Sequence, residues 1–253
     1  MREGGGSGTA GGLLPAHIGK TAVPLNQPEL YGLGTPALTE VGGAGLLPQV
    51  ARAFEAMATA ARDEGIAIAI ASGYRSFERQ LAIWNAKAEG KRPLLDRDGT
   101  AIDPASLDPQ QLMEAILLWS ALPGTSRHHW GTDLDVFDCS RITKADLQLV
   151  PAEYQQTGPC GALHDWLEAH AHEYGFFFPY QAGLSGVSAE PWHLSYAPLS
   201  VPMLAEFDSH DLALVLEQAP LALKAQVLPR LDALVRHYVH FIAPPGPAAH
   251  PNS

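Results

Sequence analysis

Ten residues constrain this chain more than any other stretch: Ser126-Arg-His-His-Trp-Gly-Thr-Asp-Leu-Asp135. They set a hydroxyl, two imidazoles and two carboxylates around one glycine. Further on, Glu190-Pro-Trp-His193 supplies one more carboxylate and one more imidazole. Two histidines and an aspartate with a free glutamate nearby are what a catalytic zinc site needs: three protein ligands, an open water position and a base. His128 and Asp135 are seven residues apart, and side chains on a strand alternate with a period of two. A continuous strand would therefore send the two to opposite faces, so a shared metal requires a turn at Gly131. Spacing leaves Asp133 and Asp135 both in contention, because they share a strand face. It also leaves His128 and His129 open.

The surrounding pattern mixes two periods. Leu47, Val50, Phe54, Met57 and Ala61 follow helical spacing over about 46–64, with Gly65 as the stop. The run at 66–70 reads as a buried strand, and 77–88 as a helix ended by Gly90. Turn chemistry fills 90–107, and a helix over 109–119 follows with Asp108 as its N-cap. Residues 132–137 read as a strand, 162–174 as a helix, and 175–178 and 192–196 as short strands. Pro191 is expected to start the last of these, leaving Glu190 on the preceding loop. Helices and strands interleave without a strict βαβ rhythm, which predicts an α+β fold with a small antiparallel sheet and flanking helices. Beyond Pro198 a leucine- and alanine-rich stretch, 201–242, predicts two or three more helices. The organisation expected is a loose glycine-rich arm over 1–27, a domain over 28–198, a helical extension packed on it over 199–242, and a disordered proline-rich tail over 243–253.

Sixteen basic against 27 acidic side chains give a net charge of −11, which argues against nucleic acid as a partner and says nothing against a small peptide. The two cysteines, Cys139 and Cys160, could form one disulfide. No CxxC pair occurs, so nitrogen and oxygen ligands must hold any metal. Cys139 counts as structural, and His164, His170 and His172 as surface residues of a helix. Trp130 and Trp192 are expected to wall the site, with Tyr74 and Phe77 in packing roles. The N-terminus carries no charged-then-apolar leader, and no stretch is long and apolar enough to insert in a membrane. The expected location is the cytoplasm, or the cell envelope if a leader has been removed. Oligomeric state stays open.

Three motifs together carry a resemblance. Ser126-x-His128-x-x-Gly131-x-x-x-Asp135, Glu190-x-x-His193 and the loop Ser72-Gly-Tyr-Arg75-Ser76 resemble the zinc D-Ala-D-Ala carboxypeptidases of the vancomycin-resistance type, over about residues 45–198. The resemblance implies the zinc fold shared by hedgehog and D-Ala-D-Ala peptidases. It also implies zinc held by His128, Asp135 and His193, with Glu190 as general base. Arg75 would anchor substrate or stabilise the oxyanion, Ser126 would support the site by hydrogen bonding, and Gln80 would contact substrate. The activity implied is removal of a C-terminal D-alanine from a peptidoglycan stem peptide, with D,D- and L,D-specificity both open. The alternatives are an endopeptidase or D-Ala-D-Ala dipeptidase of the same fold, and a zinc-holding module without catalysis. Two residues depart from the pattern. Asp133 stands where the family often has a small residue, either to orient a histidine or merely as a solvated charge, and His129 adds a second imidazole.

Overall fold

The computed structural model describes residues 27–97 and 99–246, together with Leu25. Most of the expected N-terminal arm and most of the expected tail lie outside the described residues. In chain order the elements are β1 (Thr39–Val41), β2 (Ala44–Leu46), α1 (Pro48–Asp63), β3 (Ile68–Ser72), α2 (Phe77–Ala88), β4 (Leu94–Leu95), β5 (Ala101–Ile102), α3 (Pro109–Leu117), β6 (Asp133–Asp138), α4 (Gly161–His170), β7 (Phe176–Phe177), β8 (His193–Tyr196), α5 (Ala197–Ala205), α6 (Ser209–Gln218), α7 (Lys224–Val227) and α8 (Leu231–Val235). The class is α+β. One four-stranded antiparallel sheet runs in the order β3-β6-β8-β7, and β1–β2 and β4–β5 pair as separate hairpins.

Local chemistry sets the ends of the site-bearing helices. Ser76 caps α2 by accepting from the Arg79 amide, and Asp108 with Gln111 forms a capping box on α3. Gly65 follows α1 at φ +85°, a left-handed conformation that glycine adopts at little cost. Neither small hairpin is expected from the sequence. Their strands are two or three residues long, too short to show alternation.

Strand β6 is buried at every position, and its two faces have different fates. Leu134 and Val136 enter one apolar cluster with Val50, Phe54 and Met57 of α1 and Leu163 and Leu167 of α4. Asp133, Asp135 and Phe137 point the other way, Phe137 packing on Trp192 and Tyr154. A second apolar cluster joins Leu30, Tyr31, Trp84 and Met113 to Leu212, Leu216, Val227, Leu231 and Val235 of the C-terminal helices. Among the described residues four α-helices, α5 to α8, thus follow β8 where two or three were expected, and they share a core with α2 and α3. Trp84 donates its indole N–H to the Ala222 carbonyl at 2.9 Å, and Asn85 bonds both Pro220 and Ala222. Cys139 is exposed and Cys160 buried, and both are free thiols, so the possible disulfide is not formed. Among the described residues no helix is long and apolar enough to cross a membrane.

Candidate active site

The sheet register brings two candidate ligands together. Asp135 on β6 stands directly opposite His193 on β8, and cross-strand partners of this kind hold their Cβ atoms about 4.5–5.5 Å apart. His128 arrives from a tight turn of helix over Arg127–Trp130, which Gly131 ends at φ +67°. The chain therefore reverses where the sequence requires it, between His128 and Asp135. His128 Nε2 lies 3.4 Å from Asp135 Oδ2, and His193 Nδ1 lies 3.2 Å from Asp135 Oδ1. One donor atom from each of His128, Asp135 and His193 lies within 4.8 Å of the others, close enough for the three to hold one metal ion. One further observation fits a cation. Asp135 Oδ1 is buried and accepts no hydrogen bond.

Each imidazole is aimed by its far nitrogen. His128 Nδ1 donates to the Gly73 carbonyl at 2.9 Å, which leaves Nε2 as the inward atom. His193 Nε2 donates to Asp133 Oδ1 at 3.0 Å, which leaves Nδ1 inward. Burial alone would lower the His193 pKa, but the carboxylates of Asp133, Asp135 and Glu190 around it raise it well above the ordinary histidine value. Three anionic groups around one ring call for positive charge at that point. Asp133 itself is fully buried, and Asp133 and Asp135 are both held below the usual carboxylate range: burial opposes this, but Arg127 and the histidines outweigh it.

The other expected residues fall as follows. Glu190 sits on a loop, its amide bonded to the Tyr180 carbonyl, and its Oε2 is 3.3 Å from His193 Nδ1. Pro191 and Trp192 form a turn, and the strand begins only at His193. Arg75 lies across the same cavity of about 400 Å³, also lined by Ser126, His128, Asp135, Glu190 and His193. The Arg75 loop is stapled to the ligand turn on both sides, its amide donating to the His128 carbonyl and its carbonyl accepting from His129 Nδ1. Burial lowers the Arg75 pKa, with Asp135 and Glu190 pulling the other way.

Residues 44–199, more than half of the chain, match the model of a family described as D-alanyl-D-alanine carboxypeptidase, VanY. The chain belongs to this family. It is 31% identical over 141 residues to a D-alanyl-D-alanine carboxypeptidase of Enterococcus faecalis, a match covering 54% of this chain and 42% of that one. It is 33% identical over 119 residues to an uncharacterized protein of Haemophilus influenzae, covering 46% of this chain and 86% of that one. The chain therefore spans less than half the length of the enterococcal relative. A solved structure of VanYB in complex with D-alanine-D-alanine aligns at 24% identity over 67% of this chain and 81% of that one, with a TM-score of 0.48.

Several positions of this VanY-family chain differ from what its sequence suggests. Gln80 is fully enclosed: its Oε1 accepts from Arg75 Nη1 at 2.9 Å and its Nε2 donates to the Ala121 carbonyl at 2.7 Å. It stands behind Arg75, off the cavity lining. Ser126 lines the cavity, but its hydroxyl bonds no ligand residue among the described ones. Trp192 does wall the cavity, whereas Trp130 turns into the core, donating to the Leu30 carbonyl and lying 4.6 Å under the Arg127 guanidinium. His129 is no ligand. Its Nε2 accepts from the Gly124 amide and its Nδ1 donates to Arg75, and burial pushes its pKa down to about 3, so it stays neutral. Its ring also packs against Gly32, where a Cβ would fall 2.4 Å from Nδ1.

Sequence reasoning missed two residues. Arg127 is 2% exposed, bonds Asp133 through Nε at 2.8 Å and donates from Nη2 to Ser195 at 2.6 Å. The signal was present, since an aspartate on a fully buried strand needs a cation. Tyr180 lies edge-on to His193 at 4.8 Å between ring centroids and lines the cavity, and burial pushes its pKa up to about 12. Nothing in its sequence neighbourhood marks it.

Proposed function

We propose that this protein is a zinc-dependent carboxypeptidase that removes a single C-terminal residue, D-alanine, from peptidoglycan stem peptides. The observation that carries the reading is the pair of imidazoles aimed by their far nitrogens at the two oxygens of the buried Asp135 carboxylate, with Glu190 beside them. Two imidazoles and one carboxylate suit zinc and leave a fourth position for water. His128 Nε2, Asp135 and His193 Nδ1 would hold the ion. When bound there, zinc supplies a Lewis acid and lowers the pKa of its water toward about 7.

The remaining chemistry belongs to the chain. Glu190, at the rim of the donor set, takes the proton from the attacking water and later delivers it to the departing amine. Arg75 presents a planar, permanently charged fork, the group best matched to a terminal carboxylate. Gln80 and Ser72 hold that fork in place by accepting from Nη1 and Nη2. Asp133 holds the tautomer of His193 that keeps Nδ1 free for the ion. Family membership supports a peptidase acting on wall peptides.

The test is mass spectrometry of products from muramyl tetra- and pentapeptides, with and without chelator. Loss of one residue is expected, abolished by chelation and reduced at least a hundredfold in Glu190→Ala. Unchanged turnover in Glu190→Ala would refute the assigned chemistry. Bound zinc with no hydrolysis of any stem peptide would favour the non-catalytic module instead.

A further inference from the structure

The cavity holds more positive charge than one terminal carboxylate needs. In a chain of net charge −11, Arg75, Lys87 and Arg92 all line it. Arg75 is accounted for by Gln80 and Ser72. Among the described residues neither the Lys87 ammonium nor the Arg92 guanidinium makes a hydrogen bond or ion pair. Both are placed by regular structure. Lys87 lies one turn beyond Ile83 on the cavity face of α2, and the Arg92 amide donates to the Ala86 carbonyl at the end of that helix. Burial lowers the Lys87 pKa to about 8, and Arg92 pushes it the same way, while Glu190 opposes them. Arg92 likewise opposes the charge on Arg75. Arg92, exposed at the rim, repels both half-buried Lys87 and Arg75, and the three stand beside Pro93, Leu95 and Trp119, so the positive field falls on the cavity mouth.

We propose that Lys87 and Arg92 form a second anion subsite beside Arg75, so that the preferred substrate carries two carboxylates near the scissile bond. This rests on the carboxypeptidase reading and names its substrate class. Arg75 alone can pair bidentately with the terminal carboxylate, which leaves Lys87 and Arg92 for another. Two parts of a wall peptide could supply it: the side-chain carboxylate of a diaminodicarboxylic acid upstream of the cut, or an acidic side chain on the departing residue.

Two matched peptide pairs separate these sources. One pair differs in a free carboxylate against a carboxamide on the upstream residue. The other ends in D-aspartate against D-alanine. Each is measured as kcat/KM on the zinc-loaded protein and as Kd by calorimetry on the metal-free protein. In one pair the extra carboxylate is expected to gain about tenfold, about 1.4 kcal/mol at 25 °C. That ratio should collapse to about one in Lys87→Met/Arg92→Gln. Ratios within twofold in both pairs, or a preference that survives the double substitution, overturn the subsite. Hydrolysis without preference defeats only this inference. A binding preference without any hydrolysis supports the subsite and counts against the carboxypeptidase reading alone.

Discussion

Replacing Asp133 by alanine separates two jobs that one carboxylate performs. Asp133 is fully buried and accepts from Arg127 Nε at 2.8 Å, Thr132 Oγ1 at 2.6 Å and Ser195 Oγ at 3.1 Å, besides His193 at 3.0 Å. Its removal leaves the Arg127 guanidinium enclosed, with Ser195 as its one remaining hydrogen-bond partner and the Trp130 face beneath it. One Arg127 nitrogen, Nη1, already lacks a partner. Removing one member of a buried ion pair costs about 3–5 kcal/mol, a large part of the ~5–15 kcal/mol that holds a domain together. Separately, His193 loses the group that fixes its tautomer, which lowers metal affinity about 10–100-fold. Urea denaturation of the metal-free protein reads the first effect, and competition with a chromophoric chelator reads the second. The double variant Arg127→Met/Asp133→Ala removes both charges and should recover most of the stability while keeping the metal defect. A midpoint shift worth less than about 0.5 kcal/mol in Asp133→Ala, together with metal affinity within twofold of the parent, would refute the reasoning.

Two further outcomes follow from the same geometry. Gln80→Leu removes the acceptor for Arg75 Nη1 without touching the donor set, so KM for the peptide should rise about tenfold with kcat changed much less. An equal fall in kcat would place Arg75 in the chemical step instead. Because the Lys87 pKa is lowered to about 8, its charge is present below that pH and is lost as pH rises through it, with Arg92 favouring the loss and Glu190 opposing it. Preference for a dicarboxylate over its amide should therefore be full at pH 7 and fall by pH 9.5. A preference constant across that range would show that Lys87 does not provide it.

The reversal between His128 and Asp135 was legible because backbone periodicity requires it. A seven-residue separation forces a turn, and the turn falls at the one residue between His128 and Asp135 that takes φ +67° without strain. The choice of His128 over His129 was not legible from spacing. It depends on Gly73, Gly124 and Arg75 presenting backbone partners from distant parts of the chain. Gln80 is a different case: the resemblance implied contact with substrate, and no local sequence signal says that long-range packing encloses its side chain completely. The boundary placed at Pro198 marks a real shift in composition. Composition cannot say that the leucines beyond it cover Trp84 and Phe77, because that pairing spans more than a hundred residues.

Those C-terminal helices also order events in time. Helix α2 carries Gln80 and Lys87, and its apolar face is covered by residues that leave the ribosome only after His193 has been made. The donor-bearing strands can pair early, but the wall that carries the cations cannot be sealed until α6 to α8 emerge, seconds later at about 5–20 residues per second. Contacts of such sequence separation are slow to form. The stretch matching the family, 44–199, is thus shorter than the stretch whose packing encloses α2. A chain stopped at residue 199 would leave Trp84 and Leu81 without their C-terminal apolar cover.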